Sequence, residues 1–65
     1  MNPGDLVRLK KECLSGRRTY KSGEMGIIVG EVWNQEHGIF LVEVMLQDNH
    51  TELFHKVLLE VISES

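Results

Sequence analysis

At 65 residues, with 42% apolar and 26% charged side chains, the chain has room for one domain of ordinary globular composition and a small core. No apolar run approaches the ~20 residues that a membrane-spanning helix needs. The opening Met1-Asn2-Pro3-Gly4-Asp5 has neither the basic nor the apolar region of a secretory leader, and the lone Cys13 forbids an internal disulfide, so the chain reads as cytoplasmic.

Short apolar segments separated by turn residues predict consecutive strands. After Gly4-Asp5, Val7 and Leu9 alternate with Arg8 and Lys10, which sends Val7 and Leu9 into a core. Residues 14–23 are polar, basic and punctuated by glycine, and read as a long exposed loop. A second strand runs from about Glu24 to Trp33, with Gly26 and Gly30 marking a bend, a bulge or a close backbone approach. Asn34 to Gly38 forms a hairpin loop with Gly38 free to take positive φ.

The third strand, Ile39 to Leu46, alternates most clearly. Phe40, Val42, Val44 and Leu46 are expected on the core face, with Ile39, Leu41, Glu43 and Met45 on the other. Gln47 to His50 is a turn. A fourth strand follows over Thr51 to His55, a short turn at Lys56-Val57, and a fifth strand over Leu58 to Ile62. The competing reading of residues 52–62 is a helix, since they lack Gly and Pro, but apolar residues would then fall all round it.

Three segments together resemble a KOW-type SH3-like barrel: Gly4-Asp5-Leu6-Val7-Arg8-Leu9, Tyr20-Lys21-Ser22-Gly23-Glu24-Met25-Gly26-Ile27-Ile28-Val29, and Leu59-Glu60-Val61-Ile62. Ser22 separates Lys21 from the first glycine, where the KOW pattern has the lysine directly before it. The resemblance implies a small five-stranded SH3-like barrel, all-β, and is similar to small orphan proteins of bacteriophages and bacteria. It also implies RNA or protein contacts.

Charge is divided along the chain. Residues 1–23 carry six basic side chains against two acidic ones, a net of +4. Residues 24–65 carry one against eight, a net of −7, and the two together make the −3 of the whole. Arg8, Lys10, Arg17, Arg18 and Lys21 are the candidate nucleic-acid-binding residues, with Tyr20 placed to stack on a base. The acidic remainder opposes a polyanion, since nucleic-acid modules are normally basic throughout.

Apolar residues that alternation leaves outside the core are candidates for protein contact: Ile39, Leu41 and Met45, together with Trp33 and Tyr20. Trp33 is read either as an interface anchor or as a cap over one end of the barrel. His50, His55 and Asp48 lack the converging spacing of a metal site, and Cys13 has no adjacent base to activate it. No cofactor motif is present. The expected function is a non-enzymatic protein-interaction module that self-associates, because a core this small gains from a partner subunit. The alternative is a nucleic-acid-binding KOW-like module that uses the basic segment.

Overall fold

Alternation of apolar and polar residues with period two produces the strands of the main sheet. A computed structural model describes residues 1–65 and contains seven: β1 (Leu6–Leu9), β2 (Cys13–Ser15), β3 (Arg18–Tyr20), β4 (Met25–Asn34), β5 (Ile39–Leu46), β6 (Thr51–Phe54) and β7 (Leu59–Ser63). Five form one antiparallel sheet of order β6-β5-β4-β1-β7, and β2 with β3 forms a separate hairpin. The chain is all-β. The helical alternative for residues 52–62 is not what forms: β6, a single 3₁₀ turn at Lys56–Leu58 and β7 occupy that stretch. No helix is long and apolar enough to cross a membrane.

β4 is the long central strand, pairing with β1 through Met25 to Ile27 and with β5 along nearly its whole length. Its glycines serve the two purposes the sequence suggests. A side chain at Gly26 would lie 2.5 Å from Val44 Cγ1 and 2.6 Å from the Met45 carbonyl, so the strands approach there only because Gly26 has none. Gly30 follows a bulge: Ile28 stands opposite Val44 and Gly30 opposite Glu43, which leaves Val29 without a partner.

Val7, Leu9, Ile28, Val42, Val44, Leu46, Phe54 and Leu59 form the core together with Tyr20, which is fully buried. Tyr20 corrects the reading of residues 14–23 as one exposed loop. They fold back as the β2–β3 hairpin, turned by Gly16 and Arg17, and Gly16 at φ 63° takes the position where a type II′ turn needs positive φ. The segment looks polar because nearly all its side chains face water while Tyr20 faces in.

Phe40 is the second correction. Val42, Val44 and Leu46 are buried as expected, but Phe40 is 57% exposed. The β4–β5 hairpin extends past the core, so Phe40 lies on the core side of the strand with no core beneath it.

One buried polar group was not anticipated. Asp5 is almost wholly buried and accepts the Ser65 N–H at 2.8 Å and the Asn2 N–H at 2.9 Å. Those two bonds, the one from Ser65 foremost, hold its carboxyl below the usual carboxylate range.

Candidate interaction site

The projecting end of β4 and β5 carries the most exposed aromatic surface of the molecule. Trp33 stands opposite Phe40 in the strand register, and their rings meet edge to face with centroids 5.0 Å apart and planes at 65°. Trp33 is 50% exposed, so the pair packs on itself more than on anything below. Beside it lies a cleft of about 300 Å³ lined by Glu31, Trp33, Ile39, Phe40, Val42 and Lys56. Val42 is buried and forms its floor. Neither Glu31 nor Lys56 is in an ion pair.

The bulge at Val29 sets this arrangement. Beyond it Glu31 stands opposite Val42 and Trp33 opposite Phe40, so these four share the core-side face, while Val32 and Leu41 share the other. Of the residues expected to contact protein, Trp33 and Ile39 line the cleft. Leu41 and Met45 lie on the opposite face of the sheet, away from the core. There Met45 stands beside Ile27, and Ile27 beside Leu6, which forms an apolar row across β5, β4 and β1. Met45 is exposed, whereas Leu41 and Ile39 are half-buried.

Tyr20 is not available to any partner. Its ring packs edge to face on Phe54, with centroids 5.2 Å apart and planes at 82°. Its hydroxyl donates to Glu52 Oε2 at 3.0 Å, and His50 Nε2 lies 3.1 Å from the same hydroxyl. The cluster escaped detection in the sequence because Tyr20 lies some thirty residues from His50, Glu52 and Phe54 and only the fold joins them. Burial, then the Glu52 bond, push the Tyr20 phenol up from its ordinary pKa. Burial also pushes Glu52 up, but bonds from the Leu53 N–H and the Tyr20 hydroxyl outweigh it and leave the carboxyl below its ordinary value.

The basic residues divide into engaged and free. Arg8 donates to Glu60 at 2.8 Å, and Arg18 to Asp48 at 2.8 Å with its guanidinium 5.0 Å from the centre of the Tyr20 ring. Lys10, Lys11, Arg17 and Lys21 are exposed and form no ion pair. The Arg18–Asp48 pair and Lys21 border a polar, open cleft of about 550 Å³. That cleft is larger than the one beside the Trp33–Phe40 pair but offers only Met25 and Leu46 as apolar lining.

Cys13 is half-buried against the core, and burial followed by the nearby Glu24 and Glu52 charges pushes its thiol up, which favours the unreactive protonated form. His50 turns to Tyr20 and Glu52, while His55 is exposed at the start of the 3₁₀ turn. No group of three or more His, Cys, Asp or Glu side chains converges as a metal ion would require. No protein-family model matches the chain, and neither does a curated protein or a solved structure.

Proposed function

We propose that this chain is a non-enzymatic protein-interaction module of SH3-like, KOW-related type that self-associates, and that the Trp33–Phe40 end is where a protein docks. The observation that carries the reading is that pair of large aromatic side chains, half-exposed and set on a shallow cleft with an unpaired carboxylate. Aromatic residues at the edge of a cleft are the usual anchors of protein interfaces. The five-stranded antiparallel order supports the SH3-like part, as does the β2–β3 hairpin tied to β6 by the Ser15 hydroxyl donating to the Leu53 carbonyl at 3.3 Å. A bacterial or phage-infected cytoplasm suits a half-buried free thiol.

Nucleic-acid binding is the weaker reading. Two of its five basic residues, Arg8 and Arg18, are already held by carboxylates, and Tyr20 has no exposed face on which a base could stack. Light scattering coupled to size exclusion, run up to several hundred micromolar, tests the proposal. A dimer or larger species that Trp33→Ala abolishes is the expected result. A strict monomer that also fails to retain protein partners would sink it. A salt-sensitive gel shift lost on Arg17→Ala would reverse the ranking of the two readings.

A further inference from the structure

We infer that the Trp33–Phe40 cleft receives the β2–β3 hairpin of a second copy of the chain, Leu14 against the aromatic rings and Arg17 against Glu31. The inference rests on the self-association reading above and names its occupant. It starts from two surfaces of one chain that each lack what the other offers.

The hairpin offers an apolar side chain and a cation. Leu14 is 73% exposed, the highest value among the large apolar residues, and Arg17 at the turn makes no ion pair or hydrogen bond although its neighbour Arg18 does. The cleft offers aromatic rings and the unpaired Glu31 carboxylate, a combination that attracts a guanidinium both by charge and through the ring faces. Lys56 at the cleft margin is likewise unpaired, and Glu12, exposed and unpaired at the base of the same hairpin, is the carboxylate available to it.

Charge decides between the ways two copies can meet. An isologous contact at the cleft would set Glu31 against Glu31, and one at the hairpin would set Arg17 against Arg17. Placing the hairpin of one copy in the cleft of another joins the +4 third of the chain to the −7 remainder. The hairpin of one copy therefore meets the cleft of another, either reciprocally across a two-fold axis or head to tail, where each end keeps one free hairpin or one free cleft until a ring closes or a filament grows. An eight-residue hairpin buries less than the ~800 Å² per partner of a standard interface. The association is accordingly weak, of about micromolar strength or less, and salt-sensitive.

Complementation by sedimentation velocity tests it. One variant carries the cleft change Glu31→Lys, and another the hairpin changes Leu14→Ser and Arg17→Ser. All these positions are exposed, and circular dichroism melts check that both variants fold. Each alone is expected to associate at least about tenfold more weakly than the natural chain. An equimolar mixture is expected to form a 1:1 dimer and nothing larger, because one variant retains an intact hairpin and the other an intact cleft. If the natural chain associates but the variants associate equally well, or their mixture gives no dimer, the hairpin-in-cleft assignment is overturned while self-association stands. If the natural chain stays monomeric at several hundred micromolar, self-association fails and this inference fails with it.

Discussion

The molecule contains two aromatic pairs of nearly the same geometry and opposite surroundings. Tyr20 and Phe54 meet edge to face under the β2–β3 hairpin, sealed from water, with the phenol hydroxyl bonded to Glu52. Trp33 and Phe40 meet edge to face beyond the end of the core, with about half of each side chain in solvent. Ring geometry therefore does not separate a structural pair from an available one. What lies beneath the rings does: core on one side, an open cleft on the other.

The same truncation made in both pairs should separate them most widely. Phe54→Ala removes a buried ring and leaves a cavity, a loss of about 3–5 kcal/mol, enough to unfold much of a domain this small at room temperature. Phe40→Ala should cost no more than about 1 kcal/mol in the same denaturant titration. Equal losses would mean that the exposed pair is structural after all. The two glycines of β4 extend the contrast along one strand. Gly26→Ala forces Val44 and the Met45 backbone aside, at roughly 1–3 kcal/mol. Gly30→Ala meets nothing within 4 Å and should leave the melting temperature nearly unchanged.

Tyr20→Phe keeps the buried ring and removes only the hydroxyl, leaving Glu52 one donor short, for about 1–2 kcal/mol. The smallest effect is in pH dependence. The folded Glu52 pKa lies below its unfolded value, so the stability it contributes is present above about pH 4.3 and lost as pH falls through the folded value. The folded Tyr20 pKa lies above its unfolded value, so its contribution is present below about pH 10 and lost as pH rises through the folded value. Tyr20→Phe should remove the alkaline limb and shrink the acid one in urea titrations across pH, whereas Trp33→Phe should change neither.

Much of the sheet was legible in the residues themselves. Val7, Leu9, Val42, Val44 and Leu46 fall at every second position of their strands, and every one is buried. The two β4 glycines announced a close approach and a bulge, and both are there. Tyr20 was illegible because one inward residue among polar ones gives no periodic signal, and its partners Phe54, Glu52 and His50 are distant in sequence. Phe40 was misplaced for the opposite reason. Alternation correctly assigns its side of the strand but carries no information on how far along that strand the core extends. Trp33 read equally well as an interface anchor or as a cap, and its pairing with Phe40 depends on a register that only the bulge determines.

That bulge gives one residue control over which side chain β4 presents. Were the bulge flattened so that Val29 paired with Glu43, Gly30 would slide opposite Val42, Val32 would come to stand beside Phe40, and the indole would swing to the reverse side of the sheet next to Ile39, whereas deleting Val29 would straighten the strand and keep Trp33 opposite Phe40. One unpaired residue thus decides on which side of the sheet the largest aromatic of the protein stands, with no change to any other side chain.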